Sequence, residues 1–367
     1  MKNNQSGSTG SGRIAGLDAA RGIAVLFMMQ QHIGAWLWSE PWISLSRIFR
    51  EHPVMMSFNW LGHLAAPLFV TLAGAGTVFL RQRHGSSDTL LIKRGTVTLL
   101  AGCLLNLLSP HWFSPLSWYV LHLIGFSLAL SPLLARTPSA ILLPFSAALF
   151  VLAAVMQTIL NTPLLLDDAF MNSADRTGGV ARLMFTEGHF PVLPWLALFI
   201  NGIVAGRCIA AKKTRALLVM AACSAGAGLL LAALYRQGHA FATYGPCYRL
   251  FVILPYFYPP LPACMLLLSG AALAIIAGLH RIDQTRHFAS SNAIVCLGRS
   301  SLTLLLLHIV VFNELSRPLG IYKAFSLPAT ACLLLSVLAL FTFLSAWWQR
   351  YDFRYGAEWA MRKLTGQ

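Results

Sequence analysis

The sequence predicts an all-α protein, a polytopic transmembrane helical bundle of about ten spans. Of its 367 residues, 57% are hydrophobic and only 11% are charged, and the mean hydropathy is +0.65. A soluble domain carries about 25% charged residues, so this chain has too few charges to cover a surface that faces water. In lipid, only helices and closed barrels satisfy all the polar groups of the backbone.

Long apolar runs favour helices over a barrel. A barrel strand alternates apolar and polar residues over about ten positions, whereas this chain has unbroken runs near the length of about 20 residues that crosses a bilayer as a helix. The predicted spans are residues 16–38, 57–80, 94–110, 117–135, 139–160, 190–207, 216–235, 250–280, 292–314 and 325–348. The eighth contains Pro255, Pro259, Pro260 and Pro262, and we expect it to be broken or preceded by a re-entrant stretch.

The distribution of Lys and Arg predicts the orientation. With a cytoplasmic N-terminus, 17 of these residues fall on the cytoplasmic side and eight on the opposite side, as basic residues do in membrane proteins. Both termini are therefore predicted to be cytoplasmic, with a disordered N-terminus over 1–15, a transmembrane domain over 16–348 and a tail over 349–367. The net charge of +15 does not indicate a nucleic-acid partner, because the basic residues are scattered over short loops.

Histidines gather on the predicted outer side. Eight of the eleven lie there, and His32, His63, His122 and His308 occupy four helices at similar depth, with His189 at the start of another. Ionisable residues within a membrane are costly and mark functional sites, so these imidazoles are predicted to share a cavity. The structural alternative is that each one only bonds to a neighbouring helix. A metal site is not expected, because the helices lack His pairs four residues apart and nearby carboxylates.

Asp18 and Arg21 form a second candidate group at the inner end of the first span. Their spacing of three places both on one helix face, which suits either a structural ion pair or a site for an anionic cofactor. Arg94, at the start of the third span, is the best candidate in the basic inner loop for contacting a phosphate.

Five segments of the chain resemble one family. They are the pattern LDxxRGxAxxxM from Leu17, HLAAPLFVTLAG from His63, VLHLIGFSLALSPLL after Trp118, FPVLPWLALFINGIVAGR from Phe190, and LGRSSLTLLLLH ending at His308. Together they resemble the heparan-α-glucosaminide N-acetyltransferase catalytic-domain family of transmembrane acyltransferases, including its bacterial members. The segments follow the family's order, and neighbouring acyltransferase families share the first pattern.

The resemblance implies that an acyl group, usually acetyl, passes from cytosolic acyl-CoA to a saccharide on the far side of a bacterial inner membrane. Within it, His308 matches a histidine, His32 takes the place of an asparagine, and His63 takes the place of an aspartate. His52 matches the active-site histidine if one loop residue is inserted. These four histidines are the catalytic candidates. His63 or His32 is expected to be the general base, the other to orient it or stabilise the oxyanion, and His308 to complete the site; the alternative is an acyl-histidine intermediate. Arg21, Arg94 and Asp18 are the candidates for CoA, and His122, His189 and Trp118 for the acceptor.

Two other functions remain open at this point. A transporter or flippase would also explain polar residues within the membrane, although it predicts an internal repeat that the two halves do not show. A sensor or assembly factor built on the same bundle is the third. The identity of the acceptor, the acyl chain and the oligomeric state are left open.

Overall fold

The computed structural model describes residues 13–39, 51–53, 60–85, 87–245, 247–254 and 257–367. Within these ranges the chain is built from helices, and the one backbone pairing of strand type is an isolated bridge between Trp38 and Phe325. The main helices are α1 Ala15–Leu37, α2 Ala65–Arg83, α3 Asp88–Leu108, α4 Val120–Arg136, α5 Ser139–Ile159, α6 Val192–Ala210, α7 Thr214–Arg236, α8 Pro262–Arg286, α9 Ala293–Arg299, α10 Ser301–Ile309, α11 Leu327–Trp348 and α12 Ala357–Thr365.

The helices confirm an all-α polytopic bundle. Among the described residues, seven helices are long and apolar enough to cross a membrane, and the number is eight when the bent pair that begins with α9 counts as one span. The helices α1 and α4 fall outside this set, and α4 has only 17 residues. Each predicted span corresponds to one helix or to the bent pair, but the count of ten spans stays a prediction.

The predicted eighth span is helical only from Pro262 onward, and the ninth contains a bend that the sequence did not indicate. The helix α8 begins at Pro262, where a proline suits the first turn, and Pro259 and Pro260 lie in the non-helical stretch before it. The predicted ninth span bends by 72° between Arg299 and Ser301, where the sequence has no proline. A π-helical turn, Val310–Leu315, continues α10.

The helix α6 lies at the centre of the bundle and α11 at its edge. In α6, 89% of the most apolar window is buried, whereas in α11 the value is 11%. Both helices are apolar, so the difference reflects position: the surface of α6 packs on protein, and that of α11 is available to lipid.

Glycines bring α9 unusually close to α1. A Cβ on Gly298 would stand 1.8 Å from the carbonyl oxygen of Asp18, and a Cβ on Gly22 would stand 2.1 Å from that of Ile294. Small residues allow helix backbones in membranes to approach in this way. This contact aligns α9 and the following α10 with α1, and therefore places His308 beside His32.

The structure describes the C-terminal end of the chain but not the first 12 residues. Residues 1–12 of the N-terminus predicted to be disordered lie outside the described ranges, and residues 13 and 14 lead directly into α1. The predicted tail over 349–367 contains a short 3₁₀ turn, Gln349–Tyr351, and the helix α12. The helix α12 contacts α3 and α10, and the cytoplasmic location of the tail stays a prediction.

Candidate functional site

His32 and His308 form a direct pair within the bundle. The Nδ1 atom of His32 lies 2.9 Å from Nε2 of His308, and their rings are parallel with centroids 5.3 Å apart. His308 is fully buried and His32 is half-buried. Two of the histidines that the sequence predicted to share a cavity therefore touch.

The hydrogen bonds of this pair fix which nitrogen carries a proton. His308 Nδ1 donates to the carbonyl oxygen of Leu304 at 2.9 Å, because a carbonyl can only accept. In neutral His308, Nε2 is then an acceptor, so Nδ1 of His32 must be the donor. The Nε2 atom of neutral His32 is left with a lone pair, and no described residue donates to it. This atom is able to take up a proton from a bound molecule.

Two tryptophans form walls beside the pair. The Trp112 ring meets the His32 ring edge-on, with centroids 5.2 Å apart. The Trp36 ring lies 5.2 Å from His32 and 5.7 Å from His308. Neither tryptophan was among the site residues predicted from the sequence. Their position shields the imidazoles from water.

Among the described contacts, His63 does not touch this pair. Its ring stacks on Phe257 with centroids 5.0 Å apart. The neighbouring Gly62 packs against Gln31, the residue before His32, with 2.7 Å between a Cβ on the glycine and the Cβ of Gln31. His52 meets the Trp38 ring edge-on at 5.8 Å, in a short described segment between two ranges outside the described residues. The catalytic roles of His63 and His52 stay predictions.

His122 has partners at both ring nitrogens. Its Nδ1 accepts from the backbone N–H of Tyr119 at 3.2 Å, which caps the start of α4. Its Nε2 lies 3.7 Å from the Cys103 sulfur. These contacts account for the buried imidazole as a structural group, and acceptor binding by His122 stays a prediction that they do not favour.

His189 stands in an aromatic box near the pair. Its Nε2 donates to an Asp168 carboxylate oxygen at 3.1 Å, and no described residue bonds to its buried Nδ1. Four rings meet it edge-on within 6.5 Å, including Trp112, which also contacts His32. Trp118 is buried beside His122, and its indole N–H has no acceptor within the described ranges. Acceptor binding by His189 and Trp118 stays a prediction.

An arginine-lined cavity of about 270 Å³ opens at the opposite end of the bundle. We call it the arginine cavity. Its basic residues are Arg13, Arg21, Arg83, Arg94 and Arg299, and its acidic residues are Asp18 and Glu358. The three predicted cofactor residues, Asp18, Arg21 and Arg94, therefore line one cavity.

The arginine cavity has the chemistry of an anion site. Arg21 donates to Asp18 at 2.6 Å, so this pair also has the structural role that the sequence analysis considered. The Nε atoms of Arg94 and Arg299 are buried and have no hydrogen-bond partner among the described residues, and an unsatisfied buried donor is costly. Guanidinium groups match phosphate oxygens in charge and geometry. The residues present thus fit a phosphate-bearing molecule, and Arg13, Arg83 and Arg299 are cavity residues that the sequence analysis missed.

Comparison with known families agrees with the earlier resemblance. A family model described as heparan-alpha-glucosaminide N-acetyltransferase, catalytic, matches residues 13–234, more than half of the chain. A second, described as a protein of unknown function (DUF418), matches residues 206–367, which include His308. A search among curated proteins finds no match. The first match spans α1 to α7 with His32, Arg21 and Arg94, and the chain therefore belongs to the heparan-α-glucosaminide N-acetyltransferase catalytic family of membrane acyltransferases.

Proposed function

We propose that the protein transfers an acyl group, most simply acetyl, from cytosolic acyl-CoA to a hydroxyl or amine of an extracytoplasmic saccharide. The observation that carries the proposal is the hydrogen-bonded series from Leu304 through His308 to His32. It leaves one imidazole nitrogen with a free lone pair inside the bundle. Membership of an acyltransferase family supports transfer chemistry over transport.

The arginine cavity is the proposed site for the charged part of acyl-CoA. Its volume of about 270 Å³ lies near the lower limit for small-molecule pockets, so it would hold the phosphates and not the whole molecule. Arg21 and His32 lie on the same helix α1, separated by about 16 Å along its axis at the rise of an α-helix. The flexible arm of CoA would extend over this distance to bring the thioester to the histidine pair.

His32 is the proposed general base. Its Nε2 takes the proton of the acceptor as the acceptor oxygen or nitrogen forms a bond to the thioester carbonyl carbon. The carbon–sulfur bond then breaks, and His32 returns the proton to the departing thiolate. His308 holds His32 in the required tautomer and stabilises the imidazolium that forms, because its own Nδ1 is fixed by Leu304.

A two-step route uses the same atom differently. In that route, Nε2 of His32 attacks the thioester, the CoA thiolate leaves, and the acyl-histidine is then attacked by the acceptor. The contacts of His32 are compatible with both routes. Only the two-step route leaves the acyl group on the protein when no acceptor is present.

Labelled donor tests the proposal. Purified protein in nanodiscs would be incubated with acetyl-CoA labelled in the acetyl group, with and without a panel of amino sugars and oligosaccharides. We expect label on an acceptor with wild type and with His239→Ala, a control in the exposed outer loop, and none with His32→Ala. Label retained on wild-type protein without acceptor would establish the two-step route. Absence of both donor binding and transfer in wild type would overturn the proposed function.

The direction of transfer follows from the predicted topology. The positive-inside rule assigns the arginine cavity to the cytosol and the histidine pair to the opposite face, and we propose the bacterial inner membrane as the location. Labelling of single cysteines placed at Arg354 and His239 in a variant without native cysteines would test it. In intact cells, a membrane-impermeant reagent should label only the cysteine at position 239.

A further inference from the structure

The turn that carries Trp112 is hydrogen-bonded to the π-helical turn that follows the helix carrying His308. The backbone carbonyl of Ser109 accepts from the N–H of Trp112 at 3.1 Å and of Phe113 at 2.9 Å, which folds residues 109–113 into a tight turn. We call this segment the Trp112 turn. It connects α3 to α4 and has few backbone bonds of its own, so its position depends on side-chain contacts.

Asn172 Nδ2 donates to the carbonyl oxygen of Trp112 at 2.7 Å. Glu314 binds two earlier residues of the turn, Ser109 and His111, from the π-helical turn that continues α10. One carboxylate oxygen accepts from the Ser109 hydroxyl at 3.0 Å and from the Asn313 amide at 2.8 Å, and the other accepts from His111 Nδ1 at 2.6 Å. The Glu314 side chain is only 11% exposed. A single carboxylate therefore binds two residues of the Trp112 turn, and the residue that follows them is Trp112 itself.

We propose that Glu314 is a positioning residue, whose carboxylate holds Trp112 against the His32–His308 pair. The effect on catalysis rests on the proposed function, because it assumes that His32 is the reacting group. Trp112 closes one side of the His32 ring, excludes water there and limits the approach of the acceptor. A loop without this anchor would sample positions in which Trp112 is displaced, and small displacements near reacting groups reduce rates strongly.

The chemistry of the contact distinguishes two substitutions. In Glu314→Gln, the amide oxygen would still accept from Ser109 and Asn313. The amide nitrogen would donate to His111 if that imidazole moves its proton to Nε2. In Glu314→Ala, all three bonds are lost. We therefore expect the glutamine variant to stay within about threefold of wild-type activity and the alanine variant to lose about 10- to 100-fold.

A double-mutant cycle tests whether Glu314 acts through Trp112. The rate of acetyl transfer would be measured for Glu314→Ala, Trp112→Ala and the double variant. If Glu314 only positions Trp112, the double variant loses no more than Trp112→Ala alone. We also expect the KM for the acceptor to rise with little change in the affinity for acetyl-CoA, because the donor cavity is at the other end. Losses that multiply in the double variant would overturn the proposal.

Hydrogen–deuterium exchange provides a readout that does not depend on activity. Amides of the Trp112 turn should exchange faster in Glu314→Ala than in wild type, and near the wild-type rate in Glu314→Gln, while amides of α6 are unchanged. If these amides exchange faster in Glu314→Ala but wild type shows no measurable transfer, Glu314 does anchor the Trp112 turn and the proposed function is rejected. Unchanged exchange in Glu314→Ala would reject the anchor itself, whatever the activity.

Discussion

Gly298 lies against the carbonyl oxygen of Asp18 so closely that an added Cβ would stand 1.8 Å from that oxygen. Asp18 lines the arginine cavity on α1, and Gly298 precedes Arg299, which lines it from α9. The same two helices lead to His32 on one side and, through α10, to His308 on the other. One backbone contact therefore sets the alignment of both proposed substrate sites.

Gly298→Ala is expected to destabilise the protein and to reduce activity. The methyl group has no space, so α9 must move away from α1, and overpacking of this kind costs about 1–3 kcal/mol. The shift should also lengthen the hydrogen bond between His32 and His308. Thermal unfolding in nanodiscs measures the first effect, and the rate of acetyl transfer measures the second.

The matched control is Gly278→Ala in α8. Apart from the adjoining backbone of α8, no atom in the part of the chain that the structure describes lies within 4 Å of a Cβ at Gly278, and alanine favours a helix over glycine by about 1 kcal/mol. We expect this variant to be as stable as wild type or slightly more stable. Equal unfolding temperatures for the two alanine variants would contradict the close approach of α9 and α1.

Replacing His32 and His308 one at a time should reduce the rate of acetyl transfer by unequal factors. The two losses should not add in the double variant. His32→Ala removes the proposed base, and general-base catalysis contributes about 10²- to 10⁴-fold. His308→Ala removes the group that orients it and should cost less. The double variant should be no slower than His32→Ala, because His308 acts through His32. A double variant much slower than both would show that His308 contributes independently.

Local sequence patterns were sufficient for the membrane-length helices and for three of the seven charged residues that line the arginine cavity. Apolar runs of bilayer length marked each membrane-length helix, because lipid leaves the backbone no other open-chain solution, whereas the short α12 lies in the segment predicted as a tail. The spacing of Asp18 and Arg21 placed them on one face of α1, and the basic inner loop indicated Arg94. The cavity needed Arg299 as well, and no residue near Ser300 indicated the 72° bend that brings it there.

The histidine site required tertiary information. Depth in the membrane grouped His32 with His308, His63 and His122, yet depth does not determine which rings touch. His32 and His308 are separated by 276 positions, and the close approach of α1 and α9 pairs them. His122 has the same depth but is occupied by the cap of α4. The sequence could not show that difference because it depends on the local path of the chain before Val120.

Arg94 is expected to contribute to donor affinity through its unpaired nitrogen. Arg94→Gln should weaken acetyl-CoA binding by about tenfold or more, because charge-assisted bonds to phosphate are lost. Arg94→Lys should recover only part of the affinity, since lysine keeps the charge but not the planar donor pair. Isothermal titration calorimetry with non-hydrolysable acyl-CoA at two salt concentrations measures the affinity and how far salt reduces it by screening the charges.

A basic residue outside the cavity provides the control for Arg94. Arg281, in the last turns of α8, is exposed and does not line the cavity. We expect Arg281→Gln to bind the donor as wild type does. If the two glutamine variants lose the same affinity, general attraction by the basic inner face explains binding better than the arginine cavity does.

Glu358 is expected to stabilise the start of the helix that carries His308. One of its carboxylate oxygens accepts from the backbone N–H of Leu302 at 2.6 Å and of Thr303 at 3.1 Å, and the other accepts from the Thr303 hydroxyl at 2.5 Å. A carboxylate at this position satisfies amides that have no partner within the helix and interacts favourably with the helix dipole.

Glu358→Ala should therefore cost about 1–2 kcal/mol of stability, the range for loss of a helix cap. Hydrogen–deuterium exchange should show faster exchange at Leu302 and Thr303 and along α12, with α6 unaffected. Glu358→Gln keeps one acceptor oxygen for the two amides and should lose less than alanine. An alanine variant with wild-type exchange at these amides would mean that the tail does not hold the helix, and that the bend at Ser300 is maintained by α1 and α11 alone.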